Sequence, residues 1–256
     1  MRDIDETRAP LLEHLVELRR RLLWCVAAFA VAFGVCLYFA RPIFAVLVQP
    51  LLRAGQGRLI YTNIFEAFFA EVKVAFFAAI MLAFPIIANQ IWQFVAPGLY
   101  RKEKRAFLPF LMVTPLLFLA GAALAYYVTM PVALHFLLSY QGNIGGIEQT
   151  ALPGVGNYLD FVTKFIFGFG VAFLLPVLLM LMERAGIVTR TQLRRGRRYA
   201  IVAAFAIAAV LTPPDVISQL TLAIPMVLLY EIALIAIWFT ERRRKRDAAA
   251  EPGMTA

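Results

Sequence analysis

Few side chains in this 256-residue chain have a type and spacing suited to covalent chemistry. The only histidines are His14 and His135. His14-x-x-Glu17 has metal-compatible spacing, but two ligands fall short of a zinc site. There is no H-E-x-x-H, no G-x-S-x-G and no phosphate-cradling P-loop. Cys25 and Cys36 stand eleven residues apart in one apolar stretch. On a helix that is roughly 16 Å of axis, too far for a disulfide. The expectation is a protein that is not an enzyme and needs no cofactor.

What remains is a chemistry of charge. Glu17 precedes Arg19, Arg20 and Arg21, and Glu103 stands among Arg101, Lys102, Lys104 and Arg105. Such a carboxylate is either neutralised locally, as Glu17 would be by Arg20 or Arg21 at i+3 or i+4, or open to an incoming cationic ligand. Both readings stand at this point. Glu66, Glu71, Lys73, Asp160, Lys164 and Glu231 fall within or at the edges of apolar stretches, where burying a charge is costly and marks a functional candidate. The two lysines could pair with neighbouring carboxylates. For Glu231, interhelical hydrogen bonding and function weigh equally.

The elements that position these groups follow from composition. Hydrophobic residues make up 62% of the chain and charged residues 16%, against about 45–50% and about 25% in soluble domains. That displacement suits a bilayer. A span needs about 20 mainly apolar residues, and six stretches are candidates: Leu22–Phe39, Phe68–Trp92, Phe107–Met130, Phe161–Met182, Tyr199–Leu211 and Val216–Phe239. The first is too long for a secretory signal and is followed by Arg41-Pro42, so it reads as a retained helix. The fifth is short. It either stops before the far interface, thins the bilayer around it, or packs wholly inside the bundle.

Pro85, Pro115, Pro176 and Pro225 lie inside four of the spans and predict kinks. The fold class expected is an all-α polytopic membrane protein of six transmembrane helices, several proline-kinked, forming a curved concave wall. Residues 1–240 would be one six-helix domain, and 241–256 a basic, then flexible, tail. The glycine-rich segment Pro131–Asp160 and the segment Ala40–Phe65 would cap one face.

The basic residues set the orientation. Five lie in the N-terminal arm, four at 101–105, six at 184–198 and five at 242–246, so twenty of the 25 share one side. Only Arg41, Arg53 and Arg58 lie on the other. This bias puts both termini in the cytoplasm. Dispersed over four segments without a binding module, these bases do not describe a nucleic-acid surface; anionic lipid head groups are the better partner for Arg194–Arg198 and Arg242–Arg246. Leu11, Leu12, Leu15, Leu18 and Leu22 recur at helical spacing opposite Glu13, His14, Glu17, Arg20 and Arg21. That pattern predicts an amphipathic interfacial helix running into the first span.

Four stretches together carry a family resemblance: His14-Leu15-Val16-Glu17-Leu18-Arg19 with Arg20 and Arg21; Thr62 through Glu66 to Phe69, with Lys73; Ile91-Trp92-Gln93-Phe94-Val95-Ala96-Pro97-Gly98-Leu99-Tyr100 leading to Glu103; and Leu211-Thr212-Pro213-Pro214-Asp215 with Ser218, Gln219 and Ala223-Ile224-Pro225-Met226. Over residues 10–240 the chain resembles TatC, the polytopic subunit of the twin-arginine protein translocase.

The resemblance implies a signal-peptide-recognising subunit that exports folded proteins across the bacterial inner membrane on the proton-motive force. It implies partners of two kinds, twin-arginine signal peptides of folded cargo and TatB- and TatA-like single-span proteins, with an oligomer formed with TatB. It places signal-peptide binding at Glu17, Glu103, Phe94, Arg19 and Leu99, and structural or partner contacts at Pro50, Glu66, Pro85, Asp215, Gln219 and Glu231. One departure stands out. Family members often carry a glutamate or glutamine ahead of the fourth-span proline, where this chain has Leu174 in Phe173-Leu174-Leu175-Pro176. Glu231, Gln219 and Thr221 are the polar alternatives for anchoring a partner. The rival reading, a small secondary transporter or channel, would need inverted repeats and midplane charges; the sequence shows no repeat and keeps most of its charges at the interfaces.

Overall fold

The computed structural model describes residues 3–95, 104–184, 186–212 and 215–250. They form an almost wholly helical chain that falls into two compact units, Met1–Leu116 with Gln141–Thr163, and Leu117–Tyr140 with Lys164–Ala256.

In the first unit, α1 (Asp3–Tyr38) is one unbroken 36-residue helix, so the amphipathic start and the first span are continuous. A second helix, α2 (Ala40–Arg53), follows, then α3 (Glu66–Val95). The seam that α1 and the start of α2 make with α3 is built from small side chains: Ala32, Cys36 and Ala40 meet Ala75, Ala79 and Ala83, with Phe29, Phe33 and Ile43 packed at its edges. Recurring at i, i+4, i+8, these residues let two backbones approach closely, which is how helices associate where lipid removes the hydrophobic drive. Arg21 of α1 bonds Gln93 of α3 while Arg41, just beyond α1, bonds Glu71. The two helices therefore run antiparallel.

At the far end, two loops are knitted together. Ile60 pairs with Gly154, its N–H donating to Pro153 O at 3.1 Å and its carbonyl accepting from Val155 N at 3.0 Å. The buried Tyr158 hydroxyl donates to Leu47 O at 2.8 Å. Glu66 is the staple. One carboxylate oxygen accepts from Thr62 N (2.5 Å), Thr62 Oγ1 (2.8 Å) and Asn63 N, and the other from Gly156 N at 2.6 Å. Between these loops, β1 (Gly142–Ile144) and β2 (Ile147–Gln149) pair antiparallel through Gly145 and Gly146, at φ +62° and +91°. Two consecutive positive φ values are what a two-residue I′ hairpin requires. The glycine-rich segment is thus a hairpin followed by α6 (Val155–Ala172). Lys73 pairs with Asp160 at 2.9 Å, as its position beside carboxylates suggested. Glu66→Gln keeps the side-chain size but removes an acceptor oxygen and the charge. Hydrogen exchange at the Thr62, Asn63 and Gly156 amides should then rise while α10 amides stay as protected as before.

The chain enters the second unit within α4 (Lys104–Leu124), at Leu117, and α4 gives way to one π-helical turn (Ala125–Thr129) and α5 (Met130–Leu138). The third apolar helix therefore outruns its expected end at Met130. Pro85, Pro115 and Pro225 lie within continuous helices α3, α4 and α10 (Val216–Ala250). The fourth apolar stretch is broken: α6 ends at Ala172, and a turn at Phe173–Leu174 leads into α7 (Leu175–Arg184). Pro176 sits in the first turn of α7, where its missing N–H has no helical partner to lose.

The short α8 (Arg190–Arg195) opens with a capping box between Thr189 and Gln192, and α9 (Arg197–Leu211) follows directly. Among the described residues, five helical stretches are long and apolar enough to cross a membrane. The expected span Tyr199–Leu211 is not among them: α9 has 15 residues, or about 22 Å of helix against about 30 Å of hydrocarbon. Its end is set by Thr212, whose backbone turns extended.

Close approach organises this unit. A Cβ on Gly121 of α4 would lie 2.6 Å from the Phe169 carbonyl of α6, and one on Gly168 would lie 2.8 Å from the Leu211 side chain of α9. Phe165 and Phe169 have ring centroids 4.8 Å apart at a tilt of 41°, and both are buried, as is Phe118. Tyr230 of α10 donates its hydroxyl to Leu193 O at 2.7 Å.

Candidate functional site

The carboxylate singled out in the sequence stands on α1, four residues from Arg21. In this i,i+4 pair Arg21 donates from both Nε (3.0 Å) and Nη2 to the same oxygen, Oε1 of Glu17. Local pairing therefore takes Arg21 rather than Arg20, and α3 supplies the reason. Arg21 Nη1 donates across the α1–α3 seam to Gln93 Oε1 at 2.8 Å, and Gln93 Nε2 donates to Asn89 Oδ1 at 3.0 Å. The amide of Gln93 is oriented by that second bond so that its carbonyl faces the guanidinium. A carboxylate and a carboxamide thus hold one arginine by three N–H groups, the charge-assisted mode that suits a planar guanidinium and that an ammonium cannot copy.

A cavity of about 350 Å³ opens here, lined by Glu17, Arg20, Arg21, Trp24, Gln90 and Gln93. That volume is at the small end of ligand pockets. Glu17 and Arg21 are half-buried, with 35% and 18% of their side chains exposed, so their interaction is partly shielded from water. Trp24 continues the α1 face into an apolar strip with Leu23 and Ala27. The charged cavity and this apolar strip meet at Arg20 and Trp24.

The remaining residues divide. Phe94 is half-buried on the last turn of α3, next to Gln93. Arg19 is exposed on α1 and is not part of the cavity lining. Glu103 and Leu99 lie outside the described residues. The connection that carries them leaves α3 beyond Phe94 and enters α4, and the buried Trp92 Nε1 donates to Thr114 Oγ1 of α4 at 3.0 Å.

The structural or partner candidates are placed elsewhere. Pro50 is buried near the end of α2, Pro85 is exposed on α3, and Glu66 staples the loops at the opposite end of α3. In the second unit Asp215 caps α10, its Oδ2 accepting from Ser218 N at 2.6 Å, and Gln219 Nε2 donates to Phe205 O of α9 at 3.2 Å. Glu231 pairs with Arg197 of α9 at 2.7 Å. Of its two readings, interhelical bonding is the one present. Thr221 bonds its own helix at Ile217 O, and Leu174 lies in the turn ahead of α7.

Sequence reasoning passed over Gln90, Gln93 and Trp24. The signal was there: Asn89, Gln90 and Gln93 are the polar residues closing an otherwise apolar stretch, and i, i+3 and i+4 spacing puts them on adjoining rows of one helix.

Comparison with known proteins decides the family. The model of the Sec-independent protein translocase protein (TatC) family matches residues 13–225. The chain belongs to the TatC family. Among its TatC-family relatives, the Sec-independent protein translocase protein TatC of Magnetococcus marinus is 47% identical over 253 residues, covering 98% of this chain and 92% of the relative. The Escherichia coli TatC is 38% identical over 247 residues, covering 95% and 94%. A crystal structure of the twin-arginine translocase receptor TatC in detergent superposes with a TM-score of 0.74 at 40% identity, over 87% of this chain and 98% of that one. The chain is thus a multi-pass membrane subunit of the Sec-independent translocase, a protein-transport component that works with other Tat subunits. Its helical fold is that of TatC.

Proposed function

We propose that this TatC-family chain is the signal-peptide receptor of the translocase, binding the consecutive arginines of a twin-arginine signal peptide at Glu17 and Glu103, with Phe94, Arg19 and Leu99 around them. The observation that carries the reading is the guanidinium already held at Glu17 and Gln93. The site accepts an arginine by geometry, and the apolar strip past Trp24 suits the hydrophobic segment that follows the arginines in such a signal. Folded cargo would then be exported across the bacterial inner membrane on the proton-motive force, after assembly with TatB- and TatA-like single-span proteins. Residues 1–240 form the membrane domain and 241–256 a basic tail, with both termini cytoplasmic.

Pro50, Glu66, Pro85, Asp215, Gln219 and Glu231 are assigned to structure or partner contact. The intrachain bonds of Glu66, Asp215 and Glu231 favour structure for those three. Membrane lipid is a further partner. Arg190 and Arg242 lie 5.9 and 5.4 Å from the Trp238 ring, an aromatic–cation arrangement that suits a head-group interface.

The receptor reading is tested by photo-crosslinking the purified chain to a twin-arginine peptide and to its twin-lysine counterpart. Crosslinks to the first and not the second are expected; equal labelling would leave only a generic apolar groove. The topology has its own check. In a background lacking Cys25 and Cys36, a cysteine at Glu148 should react with a membrane-impermeant maleimide on intact cells. A cysteine at Thr191 should react only after the membrane is opened.

A further inference from the structure

Arg21 occupies the place that the incoming ligand needs. Three of its five N–H groups are engaged, two on Glu17 Oε1 and one on Gln93 Oε1. Asn89 fixes the Gln93 amide in the accepting orientation, so this is a built guanidinium seat and not a chance contact between long side chains. Arg20 lines the same cavity but is exposed, and Oε1 of Glu17 accepts from Arg21.

We propose that Arg21 is an internal stand-in for a signal-peptide arginine, and that the peptide binds by displacing it from Glu17. The proposal rests on the reading of Glu17 as a receptor carboxylate. Exchanging one guanidinium for another leaves the count of ion pairs unchanged, so the gain on binding is small. Only the fraction of molecules in which Arg21 has swung away is competent, and the apparent affinity falls by that fraction. Arg21 competes with every ligand alike. It lowers the affinity for arginine and lysine peptides by one common factor, and so sets a threshold that weak signals fail to cross at cellular concentrations. Gln93 holds Nη1 in the seated state, so losing that bond eases the release of Arg21 from Glu17.

The test is equilibrium binding of labelled twin-arginine and twin-lysine peptides to the full chain in detergent. Arg21→Gln should tighten both by the same factor, about fivefold for a partly exposed pair. Arg20→Gln removes an equal charge from the same cavity and sets the purely electrostatic baseline, which Arg21→Gln should exceed. Gln93→Ala leaves every charge in place and should tighten both peptides by a smaller common factor. Unchanged or weaker binding in Arg21→Gln, relative to that baseline, would overturn the displacement. So would an altered arginine-to-lysine ratio, since that means Arg21 touches the peptide. Glu17→Gln separates the two levels. If it leaves twin-arginine binding intact, the receptor reading itself falls. If it weakens binding while Arg21→Gln brings no gain, only the stand-in is lost.

Discussion

Gly121→Ala should lower the melting temperature of the purified chain by roughly 5–10 °C, and Gly121→Val should prevent its accumulation in the membrane. The cause is a backbone, not a movable side chain. A Cβ at this position would sit 2.6 Å from the Phe169 carbonyl oxygen and 2.8–2.9 Å from Phe173 Cγ and Cβ. To make room, α4 and α6 must separate where Phe118, Phe165 and Phe169 are fully buried. Overpacking of this kind costs about 1–3 kcal/mol, and for a chain of this size each kcal/mol shifts the midpoint by about 2–4 °C. The matched control is Gly34→Ala on α1, whose Cβ would meet nothing within 4 Å. There the better helix propensity of alanine should leave stability equal or slightly higher. A scan of both variants by thermal unfolding in detergent checks the pair. Equal midpoints would mean that α4 and α6 do not meet as described.

Glu17→Gln should weaken twin-arginine peptide binding by about tenfold. A hydrogen bond to a charged group contributes about 1.5–3 kcal/mol where it is protected, and exposed ion pairs about 0–1 kcal/mol. Glu17, with 35% of its side chain exposed, lies between those limits, and 1.4 kcal/mol is a factor of ten. Arg21 reduces the net effect, because in the wild type the peptide gains Glu17 only by displacing the guanidinium already bound there. Titrating wild type and variant with the same labelled peptide measures it. A change of less than twofold would remove Glu17 from the recognition site. Stability should change little, since the local pair is one i,i+4 contact worth a few tenths of a kcal/mol.

How much of this was legible beforehand depended on range. Of the six apolar stretches, five correspond to helical spans long enough to cross a membrane, and leucine spacing joined the N-terminal arm to the first span, because both signals are local and periodic. The Glu66–Gly156 bond joins residues 90 positions apart and leaves no periodic trace. The same holds for Ile60 and Gly154. The segment at 142–149 is rich in glycine, which predicts a loop, yet two glycines at positive φ make a hairpin turn of it. The fifth span was recognisably short, and its end at Leu211 was legible because Thr212-Pro213-Pro214 follows it. At the site, periodicity left Glu17 two equal choices, Arg20 and Arg21. The choice depends on Gln93, a residue on another helix, so spacing along α1 could not make it. Glu103 and Leu99 remain expectations from the family resemblance.

The central claim is that Glu17 reads arginine as arginine. The direct measurement is a double-mutant cycle between chain and peptide: binding constants for twin-arginine and twin-lysine peptides to wild type and to Glu17→Gln. The account predicts that the penalty for lysine, clear in wild type, shrinks severalfold in Glu17→Gln, because the group that distinguishes them has gone. If the penalty is the same in both proteins, arginine is read elsewhere and the cavity on α1 and α3 is not the recognition site.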